Sequence, residues 1–185
     1  MESLTANKDL LRKEALKIRK NLSISRKNAA SKAALQKLQE ITSSYRNVLS
    51  FASTNEEINL WPINIFLAMQ KKLLLPRMEK NKELSIYQVE DIKNTLIKNS
   101  KINILEPNPT FCKKFNPHDI FCAFIPGLIF DNFHHRLGYG MGCYDRFLGK
   151  FPYIKTIGIG FYEQKKQEKI PTNTFDIALD EILLF

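Results

Sequence analysis

Short apolar runs that alternate with helical segments constrain the fold of this chain more than any other feature. Four runs are apolar and short enough to be buried strands: residues 48–52, 72–75, 119–125 and 156–161. Segments with a helical apolar period lie before and between them. This alternation is typical of a layered α/β/α fold with a mostly parallel central sheet. At 185 residues the chain can bury a sizeable core, and we expect one domain over residues 1–185.

The first segment is predicted to be helical from residue 8 onward. Its apolar residues recur at helical spacing and form one face: Leu11, Ala15, Ile18 and Leu22. Lys8 and Arg12 lie off that face and one turn apart, so they share a side of the helix. Taken alone, such a pair is more typical of a solvated basic surface than of a ligand site. Arg19, farther along, is expected to be a surface or structural residue.

Two elements are predicted in the middle of the chain. A helix begins near Pro62, because proline suits the first helical position. Its inner face is expected to consist of Trp61, Ile65, Phe66 and Met69. Residues 84–89 alternate between apolar and polar types and predict an edge strand.

Residues 136–145 follow the most apolar run and concentrate the glycines of the chain. Gly138, Gly140 and Gly142 stand at alternate positions, and glycine can adopt positive φ and let a ligand approach the backbone. A glycine loop that opens onto a helix favours anions. Arg136 adds a permanent cation, and Asp145 is the type of ligand that Mg²⁺ prefers. The pattern indicates a phosphate site, although a tight turn followed by an aspartate that only favours the first helical turn electrostatically would also fit.

Composition excludes several classes of protein. No apolar run approaches the roughly 20 residues that span a bilayer, and we expect neither a signal peptide nor a membrane anchor. The three cysteines form no C-x-x-C pair, which argues against a disulfide framework or a zinc site and favours the cytoplasm. The net charge of +9 suits nucleic acid or small polyanions. The lysines are scattered and no RNA-recognition signature is present, so a basic RNA-associated domain is the weaker alternative.

The glycine loop resembles the signature of the 5-formyltetrahydrofolate cyclo-ligase family, which reads R-L-G-R-G-x-G-Y-Y-D. The matching residues are Arg136, Leu137, Gly138, Gly140, Gly142, Tyr144 and Asp145. Tyr139 replaces the usual second arginine, Met141 stands where lysine or glycine is common, and Cys143 replaces the first tyrosine. The resemblance extends from residue 8 to about residue 183.

The resemblance implies a ligase that converts 5-formyltetrahydrofolate to 5,10-methenyltetrahydrofolate, with ATP and Mg²⁺ as cofactors and with ADP and phosphate released. A small folate would be the substrate, and we expect a monomer. The three departures in the loop leave open a paralogue that binds nucleotide or folate with little or no turnover. If the enzyme is a weakened cyclo-ligase, Tyr139→Arg is expected to raise kcat/KM for ATP.

The resemblance also implies the site residues. The nucleotide would be bound by Lys8, Arg12, Arg136, Leu137, Gly138, Tyr139, Gly140, Met141, Gly142, Cys143 and Tyr144, of which Arg136 and Tyr144 would be catalytic. The folate would contact Ala52, Glu57, Arg77, Tyr139, Gly140, Met141, Gly142 and Cys143, with Glu56 as the alternative to Glu57. Asp145 and Asp176 would bind Mg²⁺, although Asp176 is also explained as a turn aspartate.

Overall fold

The computed structural model describes residues 2–100 and 103–185, with side chains from Thr5 onward. Its α-helices are α1 (Glu2–Asn21), α2 (Ile24–Thr42), α3 (Trp61–Met69), α4 (Ile92–Thr95) and α5 (Cys143–Lys150). Its strands are β1 (Val48–Leu49), β2 (Leu73–Met78), β3 (Leu84–Gln88), β4 (Leu96–Asn99), β5 (Ile104–Pro107), β6 (Lys113–Lys114), β7 (Cys122–Pro126), β8 (Ile129–Asp131), β9 (Arg136–Leu137), β10 (Lys155–Gly160), β11 (Lys165–Lys166) and β12 (Glu181–Leu184).

Seven strands form the main sheet in the order β12-β10-β7-β1-β2-β3-β6. The five strands from β12 to β2 are parallel, and β3 and β6 add antiparallel pairs at one side. The predicted α/β fold with a mostly parallel central sheet is therefore confirmed. The prediction that residues 84–89 form an edge strand is wrong, because the two-residue β6 pairs with the outer side of β3.

Consecutive residues of the inner strands point to opposite faces of the sheet, as the period of two in a strand requires. Leu73 and Leu75 pack in the cluster with α2 and α3, whereas Leu74 packs in the cluster with α5. Phe124 and its neighbour Ala123 divide in the same way. Because both faces are covered by helices, the strands are apolar on both sides. This arrangement is the predicted α/β/α layering.

A small three-stranded sheet and the first helix share a third hydrophobic cluster, separate from the two clusters on the faces of the main sheet. The strand order in this sheet is β11-β8-β9, and Ala15 of α1 packs against Leu128, Ile129 and Leu137. The burial of the later α1 side chains differs from the prediction. Ile18 is half exposed and Arg19 is buried, because the face of α1 that meets the protein is centred on Ala15 and Arg19, which are four residues apart.

The predicted inner face of α3 is wrong at two of its four residues, since Phe66 packs against the core and Trp61 is partly buried. Ile65 and Met69 are exposed, at 50% and 81% of their full surface, and the buried positions are Ile63, Asn64, Leu67 and Ala68. The helix is apolar on almost every side, so the spacing of its apolar residues does not select a face. Among the described residues, no helix is both long and apolar enough to cross a bilayer.

Candidate functional site

A cavity of about 880 Å³ lies where strands β1, β2 and β7 end. Ligands of open α/β sheets bind at the carboxyl ends of parallel strands, where the following loops diverge. Its walls combine the segments after β1, the end of β2, the glycine loop, one side of α1 and the segment before β12. These contribute, among others, Ala52, Glu57, Pro76, Met78, Pro126, Lys8, Arg12, Asp176 and every residue from 136 to 146.

The glycine loop runs from β9 into α5 and requires glycine at two positions. Gly140 and Gly142 have φ of 94° and 63°, values that side chains disfavour. A Cβ at Gly142 would lie 2.9 Å from Nη1 of Arg146. Gly138 differs, since no described atom outside its neighbours lies within 4 Å of the Cβ position. The first glycine therefore leaves open space at the cavity, and the other two fix the path of the backbone.

Helix α1 brings two cations to this loop and to the segment before β12. The Nε of Arg12 donates to the carbonyl of Gly138 over 3.0 Å, and its guanidinium would lie 3.2 Å from a Cβ at Gly140. Lys8 lies one turn earlier, with its Nζ 2.5 Å from Oδ2 of Asp176. The basic side of α1 is therefore a wall of the cavity and not a solvated surface.

Arg136 and Tyr144 lie together in the wall of the cavity. Arg136 is 9% exposed, and its Nη2 lies 3.1 Å from Oδ1 of Asp145. Its guanidinium carbon lies 5.9 Å from the centre of the Tyr144 ring. Burial raises the pKa of Tyr144 well above its ordinary value, and the nearby Glu57 carboxylate raises it further. The Tyr144 hydroxyl is therefore a hydrogen-bond donor at neutral pH and not a base.

The two predicted metal ligands both line the cavity, and each is paired with a cation. Oδ1 of Asp145 contacts Arg136 and accepts from the N–H of Ile177, whereas Oδ2 of Asp176 contacts Lys8 and accepts from the N–H of Asn173. Among the described residues, no cluster of three or more metal-ligating side chains is present. Mg²⁺ commonly needs only one or two carboxylates, with phosphate and water oxygens completing its shell. Two aspartates beside the glycine loop fit that requirement.

The predicted folate contacts divide between the cavity and its surroundings. Glu57 lines the cavity, and its Oε2 accepts from the N–H and the hydroxyl of Thr54 over 2.9 and 3.1 Å. The alternative, Glu56, is absent from the cavity wall and has its Oε2 3.6 Å from the Lys27 ammonium. This placement favours Glu57 over Glu56.

Arg77 was expected to face an anionic ligand, but it is not among the residues that line the cavity. Its Nη1 donates to the carbonyl of Pro107 over 3.0 Å and lies 3.7 Å from Oε2 of Glu106. Glu106 is buried, lines the cavity and accepts from the N–H of Met78. Arg77 therefore neutralises a buried carboxylate of the wall, which is a supporting position.

Sequence reasoning missed several residues at this site, including Arg146 and Phe175 of the cavity wall and Arg19 behind Tyr139. Phe175, next to Asp176, lines the cavity with 80% of its surface exposed, and no sequence pattern distinguishes it. Arg19 donates from Nη2 to the hydroxyl of Tyr139 over 2.7 Å. Arg19 could have been found, because seven residues are almost two helical turns and place it on the side of α1 that carries Arg12.

Comparisons with known proteins agree with this geometry. The sequence profile of the 5-formyltetrahydrofolate cyclo-ligase family matches residues 4–184. A curated relative from Haemophilus influenzae, named 5-formyltetrahydrofolate cyclo-ligase, is 26% identical over 184 residues, which cover 97% of this chain and 98% of the relative.

Two solved structures are similar over nearly the whole chain. The 5,10-methenyltetrahydrofolate synthetase of Aquifex aeolicus has a TM-score of 0.80 and 31% identity, with 95% of this chain and 88% of that protein covered. The synthetase of Mycoplasma pneumoniae has a TM-score of 0.74 and 24% identity, with 95% and 97% covered, and it supports the fold alone. The family match, the full-length relative and the shared fold agree, and the chain belongs to the 5-formyltetrahydrofolate cyclo-ligase family and is a ligase.

Proposed function

We propose that this protein converts 5-formyltetrahydrofolate and MgATP to 5,10-methenyltetrahydrofolate, ADP and phosphate. The observation that carries the proposal is one cavity in which a glycine loop before a helix lies beside several cations and two aspartates. Lys8, Arg12, Arg136, Asp145 and Asp176 all line it together with that loop. The combination suits a nucleotide triphosphate with its metal ion, and the apolar wall leaves room for a second, flatter substrate.

The nucleotide phosphates are placed at the loop and the basic side of α1. The loop N–H groups would donate hydrogen bonds to the phosphate oxygens, and the N-terminus of α5 favours negative charge. Arg12 holds the loop through the Gly138 carbonyl, so it fixes the cradle as well as contributing charge. Arg136, buried and beside Tyr144, would stabilise the charge that develops on the transferred phosphoryl group.

The folate is placed against the segment after β1. Glu57 lies there with its Oε2 held by Thr54, and a fixed carboxylate suits the donor-rich edge of a pterin. Ala52 is buried beside it and would offer a flat apolar contact. A folate bound there would have its formyl group next to the terminal phosphate of the nucleotide.

The reaction takes two steps, in which the formyl oxygen of the folate is transferred to the released phosphate. The formyl oxygen attacks the γ-phosphorus, the bond from that phosphorus to the bridging oxygen breaks, and ADP leaves. The anilino nitrogen of the folate then attacks the activated formyl carbon and loses its proton, and the carbon–oxygen bond breaks to release phosphate. Positioning and charge stabilisation supply most of the catalysis in phosphoryl transfer. A buried general base is therefore not required, and the protonated Tyr144 hydroxyl can serve as a donor.

Asp145 and Asp176 would hold the Mg²⁺ ion of MgATP, which neutralises phosphate charge and orients the terminal phosphoryl group. Each carboxylate has its contacts among the described residues on one oxygen. The ion pairs to Arg136 and Lys8 would keep the two carboxylates in place before the metal arrives and would release both cations toward phosphate when it binds.

The proposal is tested by the absorbance of methenyltetrahydrofolate formed by purified protein from 5-formyltetrahydrofolate and MgATP. Product should require all three components and should cease when a chelator removes Mg²⁺. Stabilisation against heat by folate or nucleotide without any product would instead identify a binding-only paralogue. Arg136→Met is the matched inactive control, since it removes the buried guanidinium and keeps the loop glycines.

A further inference from the structure

Arg19 is the most unusual buried group next to the cavity. Only 1% of its surface is exposed, and a guanidinium stays protonated in proteins, so burial cannot neutralise it. It lies between the end of α1 and the glycine loop. Its Nη1 is 3.5 Å from the carbonyl of Gly127, and its Nη2 donates to the Tyr139 hydroxyl over 2.7 Å.

The guanidinium carbon of Arg19 lies 5.8 Å from the centre of the Tyr139 ring, but no negative charge compensates Arg19 in the described part of the chain. No described carboxylate forms an ion pair with it within 4 Å, and its buried Nε has no hydrogen-bond partner there. The Gly127 carbonyl that it approaches already accepts from Gln164 at 2.7 Å. A buried, unpaired charge is costly. An anion that binds nearby would reduce that cost, and this cost therefore favours anion binding.

Tyr139 connects Arg19 to the cavity. Its side chain lines the cavity and is 49% exposed, and its oxygen accepts from Arg19, which leaves its own O–H free to donate. Burial raises the pKa of Tyr139, with the Glu57 carboxylate adding to the effect and Arg19 opposing it. The hydroxyl is therefore protonated at neutral pH. A donor that is itself hydrogen-bonded to a cation is polarised and donates more strongly.

We propose that Arg19 is a positioning residue for nucleotide phosphate, and that it acts through the hydroxyl of Tyr139. Arg19 orients and polarises this hydroxyl toward the phosphate bound in the glycine loop, and the bound phosphate compensates the buried charge of Arg19. This inference rests on the proposed function for the identity of the anion. It goes beyond that function by assigning a role to a residue that does not line the cavity.

The test compares Arg19→Met, Arg19→Lys and Tyr139→Phe by calorimetric titration with MgADP and by thermal unfolding. Loss of a charge-assisted contact weakens binding by about 10-fold to 200-fold. Arg19→Met and Tyr139→Phe should each weaken MgADP binding within that range, and the double variant should be no weaker than either. Arg19→Lys should recover part of the affinity. Arg19→Met should unfold at the same temperature or higher, because it removes an uncompensated buried charge.

Arg26→Met is the matched control, because Arg26 is an arginine whose charge is paired with a carboxylate. It donates to both carboxylate oxygens of Glu163 over 2.7 and 2.9 Å and to the Phe185 carbonyl. The control should lower the unfolding temperature and leave MgADP affinity unchanged. Arg19→Met that behaves like this control overturns the inference, and so does Tyr139→Phe with wild-type MgADP affinity.

The folate arm of the experiment separates the two possible anions. Titration of Arg19→Met, whose altered residue does not line the cavity, with 5-formyltetrahydrofolate should give the wild-type affinity, and a loss there with intact MgADP binding would refute the assignment to phosphate. The proposed function fails independently of this inference if the wild-type protein forms no methenyl product while the variants still lose MgADP affinity. The inference fails alone if the wild-type protein turns over and the variants bind MgADP as it does.

Discussion

Arg12→Ala separates two contributions of one side chain at the proposed nucleotide site, namely to the stability of the fold and to the binding of ATP. The Nε of Arg12 donates to the Gly138 carbonyl over 3.0 Å, and its Nη1 pairs with Asp9, whose side chain is 59% exposed. The exposed pair contributes at most about 1 kcal/mol to folding. The charge-assisted bond to the loop contributes about 1.5–3 kcal/mol. We therefore expect the free energy of unfolding to fall by roughly 1.5–4 kcal/mol, which a denaturant titration measures.

The effect on nucleotide binding should be separate and comparable in size. In the proposed complex the Arg12 charge also faces phosphate, and its loss should raise the KM for ATP by about 10-fold to 200-fold, with a much smaller change in the KM for folate. Steady-state kinetics with one substrate varied at a time measures both constants.

Two companion variants sharpen this experiment. Arg12→Lys keeps the charge but lacks a planar fork, so it cannot donate in several directions at once, and it should recover only part of the loss. Lys13→Ala removes an exposed charge from the same helix and should leave both constants unchanged. An Arg12→Ala variant with a wild-type KM for ATP would refute the argument that α1 faces the phosphates.

Three further predictions follow from the cavity. Asp145→Asn and Asp176→Asn should each raise the Mg²⁺ concentration for half-maximal rate by more than about tenfold, since even outer partners of metal sites are worth about 10–100-fold; an unchanged Mg²⁺ titration in both would remove the metal site. Glu57→Gln should weaken 5-formyltetrahydrofolate binding by roughly fivefold or more as a charged acceptor becomes neutral, and equal affinity in a folate titration would remove that contact. Tyr139→Arg alone should lower the unfolding temperature, because the new guanidinium would face Arg19. Tyr139→Arg combined with Arg19→Met should have a kcat/KM for ATP equal to or above that of the wild type. A Tyr139→Arg single variant that gains activity without loss of stability would contradict the pairing of Arg19 with Tyr139.

The last of these predictions reverses an expectation from the sequence. Because the loop lacks the cation that is usual at position 139, the sequence predicts that Tyr139→Arg raises kcat/KM for ATP. The structure shows that the Tyr139 hydroxyl accepts a hydrogen bond from a buried arginine, and arginine has no acceptor with which to replace it. The two positions are far apart in the chain, so a reading of the loop alone could not connect them.

The main sheet could be predicted because parallel strands that are covered on both faces consist of continuous apolar runs in the sequence. The two-residue strands β6, β9 and β11 carry no period, and their pairing depends on the surrounding tertiary structure. The inner face of α3 could not be chosen for the opposite reason, since apolar residues surround the helix and burial of Asn64, which donates to the Phe51 carbonyl, follows no pattern.

Some residues of the candidate site could likewise be predicted from the sequence, and others could not. The glycine loop could be found because the required backbone angles at Gly140 and Gly142 restrict the residue type itself. The position of Arg77 could not, because its direction depends on Glu106 of the separate β4–β5 pair. A sequence pattern indicates which side chains lie near the end of a strand. Whether such a side chain faces the cavity depends on ion pairs with residues distant in the sequence, as between Arg77 and Glu106.

The path of the formyl oxygen tests the central claim most directly. We propose that this oxygen attacks the γ-phosphorus and departs as part of the released phosphate. With 5-formyltetrahydrofolate that carries ¹⁸O in its formyl group and with unlabelled ATP and water, mass spectrometry of the released phosphate should find one ¹⁸O atom for each methenyl product formed. Methenyl product accompanied by unlabelled phosphate would contradict phosphoryl transfer to the formyl group and the account of the cavity built on it.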